Sequence, residues 1–352
     1  MGKFLYLGYG DLLDVKLRYY ILRRVLLQIL VIFGALTLTF IVTKVVPSNP
    51  IVVMLGIEGM RDKALVEEVT KIWKLDRPIW EQYIYYLSNL LRGEFGRSIL
   101  TRKPVLADLR YRFPATVELT IFGFLIAMAI AIPAGILSAV YRDKIIDHVS
   151  RVLSIVGVSG PEWWWGIILL VVFYYFLGFG GSGRLPPRTP YPPFITGMYL
   201  IDSLLVGKFD IFTQALSHIM LPALALGITR SGLTSRLVRS SMLEIMRKDF
   251  IKTARMKGLK ERIIIYRHAL RNALIAPVTY MGFLFGSMLG GSIFVETVFN
   301  WQGMGQYLVN AIFAADYPAI QGAVILMAII YSTANLIVDI LYAFIDPRVR
   351  YQ

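Results

Sequence analysis

The chain has 352 residues, 56% of them hydrophobic and only 17% charged, against about 25% charged in an ordinary soluble domain; this excludes the disordered, collagenous and coiled-coil classes, and apolar runs of twenty residues or more make the bilayer its solvent. No Cys is present, which excludes disulfides, thiolate nucleophiles and thiol-ligated metals. The formal charge of +14 fits either nucleic acid or the basic cytoplasmic loops of a membrane protein, and its position decides between them.

In chain order, six segments are long and apolar enough to cross a membrane: 22–46, 115–140, 152–179, 214–237, 273–294 and 318–345. Pro133, Pro161, Pro222 and Pro277 lie inside them, which membrane helices tolerate better than soluble ones. The first segment is too long for a cleaved signal, and no small-x-small site follows it. It reads as a first span or a signal anchor, and the five later spans favour a polytopic chain. Residues 47–114 are too long for a connector. They predict an external insertion with amphipathic helices over 63–71 and 80–91, the second opening after Asp76-Arg77-Pro78. The loop Leu185-Pro-Pro-Arg-Thr-Pro-Tyr-Pro-Pro193 cannot be regular helix. The expected division is a tail and first span over 1–46, the insertion over 47–114, a five-span core over 115–345, and a C-terminal tail over 346–352. No internal repeat is evident.

Even parity puts both termini on one side. That side holds 21 Lys and Arg, 11 of them between 236 and 271, and the other side holds 14. The positive-inside rule therefore predicts cytoplasmic termini and an external 47–114. The excess charge is topological, and nucleic acid is not an expected partner; membrane lipid is.

Enzyme chemistry has no support. His148, His218 and His268 stand in separate segments, without the spacing of a zinc site. Gly2-Lys3 and Gly207-Lys208 are each followed by Phe, where a phosphate-binding loop needs Ser or Thr. No catalytic or metal residue is assigned, and the chain is expected to bind no ATP.

Charges at membrane depth are costly and usually face a cavity or a partner. Glu162 follows Pro161 and precedes three Trp ending at Trp165. It belongs either to a translocation pathway or to a hydrogen-bonded break. Trp165 stacks on solute or packs. Arg230 lines an inner gate or snorkels. In the fifth span Gly286, Ser287 and Gly290 make a small-residue face, which serves either packing within the chain or a partner subunit beside the pathway. Asn335 and Asp339 sit one turn apart in the last span, placed to bond across helices.

The stretch Asp249-Phe-Ile-Lys-Thr-Ala-Arg-Met-Lys-Gly258, with the 261–274 helix that follows, predicts a short exposed helix, a break at Gly258, and a second helix entering the membrane. Such a loop, about 240–271, is a handle for another protein or a solvated basic loop.

This stretch resembles the cytoplasmic EAA loop of ABC-transporter permeases, in the form used by dipeptide, oligopeptide and nickel importers. Lys252-Thr253-Ala254 stands where Glu-Ala-Ala would be, Gly258 and Leu259 follow at the matching spacing, and His268-Ala269-Leu270-Arg271 replaces Ile-x-Leu-Pro. Leu75-Asp-Arg-Pro78, Gly93-Glu-Phe-Gly-Arg-Ser98, Pro104-Val105, Phe113-Pro-Ala-Thr-Val-Glu-Leu119, Val295-Glu-Thr-Val-Phe299, Gly303-Met-Gly305, Asp316-Tyr-Pro318 and Asp346-Pro-Arg-Val-Arg-Tyr351 are similar to further segments of that family. The resemblance implies an all-α membrane protein of the type I ABC importer kind. It would sit in a prokaryotic plasma membrane, with a second homologous permease, two ATPase subunits that hold the ATP and magnesium, and an external substrate-binding protein. Peptides are the first expected solute and oligosaccharides or other sugars the second. A secondary transporter working alone is the reading from a different class.

Overall fold

The computed structural model describes residues 7–45, 60–72 and 76–345. Residues 1–6, 46–59 and 73–75, and the motif at 346–351, lie outside the described residues. Helices dominate: α1 (Leu7–Val45), α2 (Lys63–Ile72), α3 (Ile79–Leu91), α4 (Val105–Val140), α5 (Ile145–Ser159), α6 (Glu162–Phe176), α7 (Tyr199–Leu205), α8 (Phe209–Ile245), α9 (Asp249–Met256), α10 (Glu261–Ala273), α11 (Ile275–Leu289), α12 (Ile293–Val298), α13 (Met304–Phe313) and α14 (Tyr317–Ile345). Among the described residues no strand forms; an isolated bridge joins Arg97 to Pro104.

Four helices, α1, α4, α8 and α14, are each long and apolar enough to cross a membrane. Two bent pairs, α5 with α6 and α10 with α11, raise the number of crossings to six if each pair is one span. The apolar run 152–179 therefore does not form one straight helix. It breaks at Gly160-Pro161, both in extended backbone, and the chain turns by 102°. Pro161 has no N–H to continue the ladder and disfavours helix at the residue before it. Beyond the break, α6 widens into a π-helix over Leu170–Phe176.

The second span begins ahead of its apolar run, because Pro104 opens α4 at Val105. With 36 residues in α4 and 37 in α8, each is about 55 Å long, well beyond a hydrocarbon core of about 30 Å. Both project on either side, and they pack along each other as the central pair. Gly135 allows the approach: a Cβ there would lie 2.7 Å from Val238 Cβ. One core gathers around Leu119, Ile219, Phe299 and Trp301. A second gathers around Ile136, Val238, Met242 and Ile264. A third joins Val105 and Leu109 to α13 and α14. Helix α1 packs on α14 and leaves most of its large apolar side chains exposed, as lipid permits.

Candidate functional site

The handle expected between α8 and the fifth span takes the form of α9. Ile251 and Ala254 are buried in the second core, while Asp249, Phe250, Lys252, Thr253 and Met256 are exposed. Lys252 Nζ bonds Asp249 Oδ1 at 2.9 Å, and the Thr253 hydroxyl donates to Asp249 O at 3.0 Å. Gly258 ends the helix with φ +72°. Its N–H donates to Arg255 O at 2.9 Å, and Leu259 N–H donates to Ala254 O at 3.4 Å. This is the paired 5→2 and 6→1 closure that a left-handed residue makes possible. Nothing lies within 4 Å of a Cβ built at Gly258, so it is backbone conformation that demands glycine there. Arg255 bonds Glu261 at 2.7 Å, tying α9 to the start of α10. Farther on, Ala269 is buried, and Leu270 packs on the same core as Ile251. His268 is half-buried, and its carbonyl accepts the Asn272 amide at 2.7 Å. An open cavity of about 530 Å³, lined among others by Arg142, Arg239, Arg247, Lys248 and Glu244, lies at the end of α8 that leads into α9.

Within the membrane segments the structure brings Glu162 and Arg230 together as an ion pair, and Ser292 Oγ donates to the other Glu162 oxygen at 2.8 Å. The cluster thus joins α6, α8 and the link from α11 to α12. Trp165 is one turn away, its indole N–H donating to Gly157 O at 3.1 Å. Gly286 and Gly290 are not brought into this cluster. Cβ atoms at those positions would approach Asn335 and Tyr331 of α14, so the small-residue face packs within the chain. The Ser287 hydroxyl bonds Leu284 O of its own helix. Asp339 bonds across helices to Arg24 of α1 at 3.1 Å.

Several motifs quoted from distant parts of the sequence meet in one layer, at the end of the molecule that the charge count predicts to be the outer one. Thr116 Oγ1 donates to Glu296 Oε1 at 2.8 Å, and the Gly305 and Gln306 N–H groups donate to Glu296 Oε2 at 2.7 and 3.1 Å. Glu296 therefore caps the N-terminus of α13 from outside that helix, satisfying donors its first turn leaves free. Burial pushes its carboxyl up to about 7, against the three hydrogen bonds. Glu118 pairs with Arg184 at 2.7 Å and accepts Leu200 N–H at 2.8 Å. The Arg184 guanidinium also bonds Gly197 O and lies 3.4 Å from the Tyr199 ring centroid. Ser98 Oγ donates to Asp316 at 2.5 Å, and Leu100 N–H donates to the same carboxylate oxygen. At the opposite end, buried Asp147 takes a two-pronged bond from Arg239 at 3.0 and 2.9 Å and one from Ser138 at 2.5 Å.

Sequence reasoning quoted Glu118, Glu296 and Asp316 only as parts of motifs, and it missed Arg184, Asp147 and Arg239 as a structural set. The signal for Arg184 was a lone Arg just before a Pro-rich loop. Asp147 gave none beyond its place in a basic turn.

The profile of the family described as binding-protein-dependent transport system inner membrane component matches residues 131–351, and that of its N-terminal part matches residues 17–120. The chain is 42% identical over 322 residues to the probable D,D-dipeptide transport system permease protein DdpB of Escherichia coli, covering 91% of this chain and 94% of the relative. It is 39% identical to the dipeptide transport system permease protein DppB of Alkalihalophilus pseudofirmus, covering 94% and 99%. It is 34% identical to the glutathione transport system permease protein GsiC of Shigella flexneri, covering 95% and 99%. The chain belongs to the binding-protein-dependent transport system inner membrane components, the permeases of ABC importers.

Proposed function

We propose, with that membership as the premise, that the chain forms half of the membrane pathway of a peptide importer and that α9 is the helix through which ATPase subunits drive it. The observation that carries the coupling role is the seating of α9. Ile251 and Ala254 fix it to the core shared by α4, α8 and α10, while its remaining surface faces out. A displacement of α9 is therefore passed to α8 and α10 as rigid elements rather than absorbed by a loose loop. The peptide reading is supported by relatives whose names state dipeptide transport.

In this proposal a second, homologous permease completes the pathway, two ATPase subunits supply ATP and magnesium, and an external binding protein delivers the peptide. The chain itself binds no nucleotide. It sits in a prokaryotic plasma membrane with both termini and α9 cytoplasmic and α2 and α3 external. Glu162, Trp165 and Arg230 line the pathway. Their cluster joins three segments that the driven motion displaces relative to one another, so the ion pair is where opening and closing are felt.

The test is Gly258→Val in the assembled transporter with its binding protein. Valine opposes the left-handed backbone at the end of α9, and its Cβ has nothing within 4 Å. Peptide-stimulated ATP hydrolysis is expected to fall several-fold while the subunit still inserts and assembles. Unchanged stimulation would sink the coupling role. Orientation is tested in the Cys-free chain by Glu94→Cys and Lys257→Cys. A membrane-impermeant maleimide should reach the first in intact cells and the second only after the membrane is opened.

A further inference from the structure

We infer that α3 is a membrane-surface helix that lays Trp80, Ile84, Leu87 and Leu91 into lipid beside the C-terminal end of α1. These residues follow an i, i+4, i+7, i+11 spacing and so form one stripe. Trp80, Ile84 and Leu91 are 63, 58 and 90% exposed, and no residue of α3 is buried. A second apolar face of the same helix is already used. Tyr83 and Tyr86 pack on Phe40 of α1, with ring centroids 5.1 and 5.5 Å apart, and the Tyr83 and Thr37 hydroxyls are 2.6 Å apart. The free stripe is therefore not the face that holds α3 to the protein.

Depth decides what covers it. Thr37 and Phe40 belong to the apolar stretch Ile21–Thr43 by which α1 qualifies as a span. A helix resting on them lies at the level where hydrocarbon meets headgroups. Near the contact in sequence, Leu38, Ile41 and Val42 of α1 are also exposed, so apolar surface left open for lipid lies on both helices that meet there. The rest of α3 suits water: by helical spacing Gln82 and Asn89 fall opposite the stripe, and Glu81 and Arg92 fall about 100° from its centre on the side away from the tyrosines; Glu81 pairs with Arg77. Two apolar faces, tyrosines and a tryptophan at the boundary, and one charged edge are what an interfacial helix requires. The external loop then does not stand off the membrane: α3 holds it down. Assignment to the outer leaflet rests on the topology proposed above; the lipid contact does not.

The experiment uses the complete transporter in phospholipid nanodiscs, where both faces are open to solvent and orientation plays no part. Single cysteines are placed by Ile84→Cys, Leu91→Cys, Glu81→Cys and Arg92→Cys in the Cys-free chain. A water-soluble maleimide should label positions 84 and 91 about ten-fold more slowly than 81 and 92, as for thiols held beneath headgroups. Spin labels at 84 and 91 should be relaxed by lipid-dissolved oxygen, and those at 81 and 92 by an aqueous nickel chelate. Equal reactivity around the helix would overturn the inference. So would protection of 84 and 91 that appears only when the binding protein is added, since the stripe would then be a protein-docking face.

Discussion

Glu296 and Asp249 are both carboxylates at the start of a helix, one in the outer layer at α13 and one on α9. Glu296 is fully buried and holds α13 through two backbone N–H groups and Thr116. Asp249 is exposed on the first turn of α9, and its hydrogen bond to Lys252 keeps its carboxyl below the usual carboxylate range. Removing a partner in the outer layer leaves a polar group with neither water nor protein to meet it. On α9, water replaces a lost partner. Outer charges are therefore buried joints between segments, whereas those of α9 are exposed: Arg255 reaches Glu261 of α10, Asp249 and Lys252 pair within the helix, and only Ile251 and Ala254 are buried.

The largest effect that would test this contrast is at Arg184. Arg184→Ala leaves Glu118 buried and unpaired, at a cost of about 3–5 kcal/mol; thermal unfolding in detergent should show it. Adding Glu118→Gln should recover part of the loss. A melting temperature equal to that of the unsubstituted chain would mean the pair is no joint. Next, Ile251→Ala removes the buried anchor of α9, costing about 2–4 kcal/mol locally. Faster amide exchange should be confined to α9 and α10, with peptide-stimulated ATP hydrolysis reduced. Exchange spreading to the outer layer would break the division between the two regions.

Third in size is the pH response of Glu296. Its folded value, about 7, lies above the ordinary 4.5, so between those values the folded chain holds the proton more tightly than the unfolded one. The stabilisation from the neutral acid is complete below about 4.5 and is lost as pH rises from there through 7, about 3 kcal/mol in all. Melting measured from pH 5 to 8 should fall with this slope, and Glu296→Gln should flatten it. A steeper fall in the variant would reverse the assignment. Smallest is Asp249→Asn, which should leave melting unchanged at any pH from 5 to 8; a measurable loss would make α9 a joint as well.

The amphipathic helices α2 and α3, the spans and the short helix α9 were legible because each rests on periodicity or on a residue with one conformational habit, such as Gly258. The outer layer was legible only as quoted motifs. Ser98 stands in a polar loop yet is buried on Asp316, and Glu118 is 66 residues from Arg184. No local pattern announces a partner at that distance. The third span was read as continuous although Pro161 lay inside it, because hydropathy averages over a break that one missing N–H produces. For Gly286 and Gly290, spacing identified a close approach but not which helix would make it; α14 is the neighbour.

The outer joints also impose an order on biosynthesis. Ser98 and Asp316 are 218 residues apart, about 10–40 s of translation at ribosomal rates. Glu296 follows Thr116 by 180 residues. Until the C-terminal third emerges, Ser98 and Thr116 lack the carboxylates they donate to, and until Arg184 arrives the Glu118 carboxylate lacks its cation. Ser98 stands in a loop ahead of α4, whereas Thr116 and Glu118 stand on α4 itself, so the early part of that helix waits with polar groups that later segments will cover. A chain cut short before α12 would insert its first spans and leave α4 capped by open polar sites, a form recognisable to quality-control proteases by its exposure rather than by its sequence.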